Sequence, residues 1–169
     1  MRPELLVLRL VHVLCGTYWV GSALFLGVFL VPALATSGVN AGQVFAALGR
    51  RRLFATQPVV ALLTMLSGFR LLWIASGGSL TPYVRTAGGR AYVFSGVAAL
   101  VAFVLSLVVS RPAAAKAGRL TAAMQTATTE RDALTRQLTS VRRRGAIASA
   151  AAITLLVMCA AGMSIGRYL

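Results

Sequence analysis

Acidic side chains are almost missing from this sequence. Among 169 residues only Glu4, Glu130 and Asp132 carry a carboxylate, and none of them lies inside an apolar run. A proton relay built from intramembrane carboxylates is therefore excluded. Histidine is scarcer still, with His12 standing alone, so one copy of the chain cannot offer two imidazoles to a haem iron. The two cysteines, Cys15 and Cys159, sit in apolar runs at opposite ends of the chain, which is neither the number nor the spacing of a disulfide framework. No phosphate-binding GxxxxGK[ST] pattern and no zinc-binding HExxH pattern occurs.

Charge of either sign is also sparse. Charged residues make up 12% of the chain, against about 25% in an ordinary soluble domain. Hydrophobic residues reach 58% and mean hydropathy is +0.81. These values describe an integral membrane protein. The net charge of +14 would suggest nucleic acid on a soluble chain. Here the arginines fall mainly in the gaps between apolar runs, as membrane topology requires, and no nucleic-acid partner is expected.

Four apolar segments, at about 5–31, 54–75, 91–110 and 146–165, each reach the roughly 20 residues needed to cross hydrocarbon. Pro32 is expected to close the first helix, Gly77 and Gly78 follow the second, Pro112 lies just past the third, and Gly145 opens the fourth. Ala33-Leu34-Ala35 fits a small-x-small cleavage pattern. The apolar run before it, however, exceeds the roughly 7–15 residues of a signal h-region, so the segment is expected to remain. The expected fold is all-α: an antiparallel bundle of four transmembrane helices forming one domain over 1–169.

Orientation follows from the basic residues. Eleven of the seventeen lie in two connections, Arg50 to Arg52 after the first span and the stretch from Arg111 to Arg144 after the third. The positive-inside rule puts both connections in the cytoplasm and both termini outside. Gly-Arg-Arg-Arg at 49–52 and Val-Arg-Arg-Arg at 141–144 would attract anionic lipid headgroups. Within 111–144, Leu120, Met124, Ala127, Arg131, Leu134, Leu138 and Val141 recur at alternating spacings of four and three, a heptad seam. Thr126, Thr128 and Thr129 weaken helix propensity along it. This predicts an amphipathic cytoplasmic helix extending the third span, or a surface over 116–141 for a second copy or a membrane partner.

A rise of 1.5 Å per residue puts His12, Arg70 and Cys159 each roughly 10 Å below the outer end of its span. Met163 shares a face with Cys159, and Cys15 shares one with His12. Histidine, thiolate and thioether are competent soft-metal ligands, favouring Cu(I). His12, Cys15, Cys159 and Met163 are therefore candidate metal ligands. His12 is equally a candidate haem ligand, with Arg70 an anion partner for a propionate. Structural roles stand beside these. A lone histidine can hydrogen-bond a neighbouring helix, a free cysteine packs as a small apolar residue, and Arg70 can snorkel to the interface. Trp19 lies too deep for the outer aromatic belt and is expected to pack. Gly16, Gly21, Ser22 and Gly27 permit close helix approach.

The run His-Val-Leu-Cys-Gly-Thr-Tyr-Trp-Val-Gly, residues 12–21, gives an H-x6-W-x-G pattern near the start of the first span. It resembles the first helix of small four-helix membrane proteins related to copper resistance protein D. The same pattern opens the four-helix, HemJ-type protoporphyrinogen oxidases. The oxidase resemblance implies haem b bound by His12. The copper-resistance resemblance implies copper handling in the bacterial envelope, and it is the nearer one, because the oxidase helix continues into an aromatic-histidine run where this chain reads Phe-Leu-Gly-Val-Phe-Leu-Val-Pro-Ala-Leu. The expected function is thus that of a copper-resistance-D-like inner-membrane protein binding or passing a soft metal ion, or holding a haem. A haem-containing membrane oxidoreductase is the second class, and a cofactor-free subunit working through its Arg-rich helix is the third.

Overall fold

The computed structural model describes residues 3–126 and 130–169, without the side chain of residue 126. Among the described residues all regular structure is helical. Helix α1 (Pro3–Leu24) runs through a π-helical stretch, Phe25–Leu30, into α2 (Val31–Thr36). A short α3 (Ala41–Arg50) precedes α4 (Leu53–Ala75), and α5 (Leu80–Arg85) precedes α6 (Ala87–Leu105). A second π-helical stretch, Ser106–Ser110, joins α6 to α7 (Arg111–Thr126). The long α8 (Arg131–Ile165) ends in one 3-10 turn, Gly166–Tyr168.

Four continuous helical rods, Pro3–Thr36, Leu53–Ala75, Ala87–Gln125 and Arg131–Tyr168, are long and apolar enough to cross a bilayer. Side-chain placement agrees with lipid as the surrounding solvent. Leu10, Leu14, Phe29, Phe69, Val108 and Ile147 point outward and are more than half exposed, whereas the buried set is dominated by Ala61, Ala98, Ala99, Ala102, Ala148 and Ala152. Water would drive the large side chains inward. In lipid, association depends on close backbone approach, so the small residues take the interior. The chain is a multi-pass membrane protein.

Three expected helix boundaries are corrected. Pro32 and Pro112 do not end their helices; each follows a π stretch that carries the rod past it. Proline removes one donor and crowds the carbonyl four residues back. In both places the residue just before it donates five residues back instead, Val31 to Leu26 and Arg111 to Ser106. The widened turn takes up an extra residue and lets the helix continue. Gly145 does not open a helix either, because α8 is continuous from Arg131. By contrast α4 stops as expected, with Gly77 and Gly78 at φ 60° and 83° making the turn.

The seam expected as one amphipathic helix is divided between α7 and α8. Leu120 and Met124 lie on α7, and Leu134, Leu138 and Val141 on α8. Residues 1, 2 and 127–129, among them Ala127 of the seam and the helix-weakening Thr128 and Thr129, lie outside the described residues. On α8 buried or half-buried residues recur at intervals of three and four through Gly145, Ala148, Ala152, Leu156, Cys159 and Met163, and Gly166 continues them into the terminal turn, so one packing stripe runs this length.

Side-chain contacts fix the directions of two pairs. Glu4 meets Arg70 and Tyr18 meets Thr56, so α1 and α4 run oppositely. Ser95 faces Gly162, and Tyr92 faces Gly166, so α6 and α8 do too. Trp19, 5% exposed, fills the centre among Ala61, Ala99, Ala102, Ala152 and Leu156, edge-on to Phe103 at 6.2 Å between ring centroids.

The start of α7 is tied to the start of α4 by an arginine. Pro58, inside α4, has no N–H for the carbonyl of Phe54 four residues back. Arg111 Nη2 donates to that carbonyl at 3.0 Å. The connections that contain α3 and α7 therefore lie on one face of the molecule.

Candidate functional site

Four polar contacts cross the α1–α4 interface like rungs, while the Thr64 and Ser67 hydroxyls bond carbonyls of their own helix. Arg70 donates through Nη2 and Nε to Glu4 Oε1, at 2.6 and 2.8 Å. The His12 imidazole is next, with Nδ1 2.8 Å from the Thr64 carbonyl oxygen. Tyr18 Oη and Thr56 Oγ1 follow at 3.1 Å. Last, Gln57 Nε2 donates to Ser22 Oγ at 2.6 Å, and Ser22 Oγ donates to the Tyr18 carbonyl. Unmade hydrogen bonds are costly where no water can substitute, so this ladder fixes the register of the two helices.

His12 occupies a notch left by Gly68. A Cβ added there would stand 2.7 Å from His12 Cε1 and 3.0 Å from Nδ1. Because a carbonyl accepts only, Nδ1 carries a proton, and in the neutral imidazole Nε2 then presents the lone pair. That is the orientation of a ligating histidine, whose other nitrogen donates to a backbone carbonyl. Gly68→Ala is expected to push the ring off Thr64 and lower folding stability by about 1–3 kcal/mol, read as the midpoint of unfolding in mixed micelles. An unchanged midpoint would show that the ring is not held there.

The remaining candidates are dispersed. Cys15 is half-buried one turn along α1 from His12. Cys159, also half-buried, packs against the cluster around Trp19, which lies about 10 Å along α1 from His12. Met163 follows it by one turn on the same packing stripe. Among the described residues no three His, Cys, Asp or Glu side chains gather to hold a metal ion. Arg70 is engaged by Glu4, with both side chains about half exposed.

Comparison with family models, with curated proteins and with solved structures returned no match to this chain. Function therefore rests on the residues themselves.

The donor set suits some groups better than others. His12 Nε2 and the Cys15 sulfur, at i and i+3 on one helix, suit a single soft ion that accepts two ligands. A haem fits less well, because Arg70 is already paired and α1 is bonded to α4 on both sides of His12. Residues 162–166 read Gly-Met-Ser-Ile-Gly and so spell GxSxG, but they continue helically from α8 into its terminal turn, and Ser164 Oγ donates to the Ala160 carbonyl. A nucleophile elbow needs a strand-to-helix turn instead.

The partners Gln57, Ser22, Thr56 and Thr64 escape a reading by depth alone. Their signal is the spacing of Gln57, Ala61, Thr64 and Gly68 along α4, small or polar residues at alternating intervals of four and three.

Proposed function

We propose that this is a copper-resistance-D-like protein of a bacterial inner membrane, an antiparallel four-helix bundle that takes a soft metal ion, Cu(I), in the outer half of the bilayer. The supporting observation is the His12 Nδ1 bond to the Thr64 carbonyl, which in the neutral ring leaves the Nε2 lone pair free for a ligand. Cys15 supplies the second donor as a thiolate, so metal uptake releases one proton. Cys159 and Met163 are a second pair of soft donors on α8. Eleven of seventeen basic residues lie in 50–52 and 111–144, at the end of α3, along α7 and on the first part of α8, which supports a cytoplasmic position for that face and outward termini.

Anaerobic competition of the purified full chain with a coloured Cu(I) chelator tests the reading. One Cu(I) per chain is expected, with loss of binding in His12→Ala and in Cys15→Ser while helicity is retained. No copper retained by the unaltered chain, or equal retention by both variants, rejects it. A Soret band in the purified protein that disappears in His12→Ala would replace it with a haem b oxidoreductase.

A further inference from the structure

A cleft of about 330 Å³ opens between α7 and α8 where the third rod leaves its π stretch. Its floor is apolar, made by Val108, Val109, Pro112 and Val141, and two cations, Lys116 and Arg144, stand at its rim. The cleft exists because two local features separate and join the helices at one level. The π stretch and Pro112 widen α6 as it becomes α7. Just beyond, Gly145 lets α8 approach so closely that a Cβ there would stand 3.1 Å from that of Ala113.

The rim is electrostatically unmatched. Lys116 and Arg144 make no ion pair or hydrogen bond with any described residue, whereas neighbouring Arg111 is committed to the Phe54 carbonyl. Of the three acids, Glu4 is held by Arg70. Asp132 lies twelve residues ahead of Arg144 on the same helix, about 18 Å away, and Glu130 is farther still. The apolar lining reaches the outside of the bundle at Val108, which is 67% exposed. A free soluble anion would satisfy the rim and leave that apolar surface unused. A molecule with a phosphate and a hydrocarbon tail matches both.

We propose that this cleft binds one anionic phospholipid, its phosphate between Lys116 and Arg144 and an acyl chain along Val108 and Val109. The inference deepens the membrane reading above and rests on its sidedness only for which leaflet provides the lipid. Eight residues of helix separate Val108 from Lys116, about 12 Å, which spans from the upper acyl chain to the headgroup.

Native mass spectrometry of the full chain in detergent tests it, with phosphatidylglycerol, phosphatidylcholine and inorganic phosphate titrated separately. One phosphatidylglycerol should stay bound under activation that strips phosphatidylcholine, and phosphate should not displace it. Replacing both cations, Lys116→Gln with Arg144→Gln, should weaken retention roughly thirtyfold, as each basic residue near the surface contributes about fivefold. Both positions are exposed, so the fold is not at stake. Val109→Trp, with both cations kept, should also expel the lipid, while Arg50→Gln with Arg51→Gln should leave it in place. Equal retention of both lipids, displacement by phosphate, or an equal loss in the Arg50/Arg51 variant would overturn the proposal. Detergent titration is blind to sidedness. If reporter fusions place the α3–α7 face outside while lipid retention persists, only the orientation fails.

Discussion

Trp19→Ala is expected to lower folding stability by about 3–5 kcal/mol, the usual cost of emptying a buried aromatic site. Trp19 is 5% exposed and touches residues from α4, α6 and α8 as well as the ring of Phe103. Lipid does not reach it, so the lost volume becomes a cavity rather than a new lipid contact. Unfolding in mixed micelles measures the loss. A Trp73→Phe background makes Trp19 the sole indole, since the chain has two tryptophans, and its emission should lie well to the blue until the bundle opens. A loss below about 1 kcal/mol would be no more than a typical substitution, and would mean that the four rods do not converge on this ring.

The second large effect concerns the α6–α8 seam. Ser95 is fully buried and its hydroxyl has no hydrogen-bond partner among the described residues. A Cβ on Gly162 would overlap that hydroxyl. Gly162→Ala alone is therefore expected to cost about 1–3 kcal/mol, by forcing the helices apart. Ser95→Ala alone is expected to stabilise by roughly 1 kcal/mol, because it removes an unpaired buried polar group. The informative quantity is the double variant. Removing the hydroxyl makes room for the new methyl, so the pair should couple by more than 1 kcal/mol instead of adding. Strict additivity would show that the two residues are not in contact.

The four spans and the Gly77-Gly78 stop are visible in hydropathy and glycine placement, because long apolar runs have few alternatives. The proline boundaries are not visible. The rule for proline concerns the α-helical hydrogen-bond ladder, and a π stretch suspends it at the cost of one extra residue. The seam from Leu120 to Val141 shows which residues pack but not that the stripe is shared between two helices; the threonines at 126, 128 and 129 are the only local sign of a break. At the site, depth places His12 and Arg70 near one level, yet helix rotation decides their partners. Glu4 and Thr64 lie 66 and 52 residues from the groups they meet, and no local pattern announces such pairs.

The polar ladder between α1 and α4 also has a bearing on the order of synthesis. All four rungs, from Glu4 with Arg70 to Ser22 with Gln57, lie within the first 70 residues of the chain. The first two spans can therefore make all four of these contacts before α6 and α8 have been made, and only the Phe54 carbonyl still waits for Arg111. Trp19 differs, because Phe103, Ala152 and Leu156 come from the later half. During translation, hydrogen bonding between the early helices can close first, and the indole waits for the helices that enclose it.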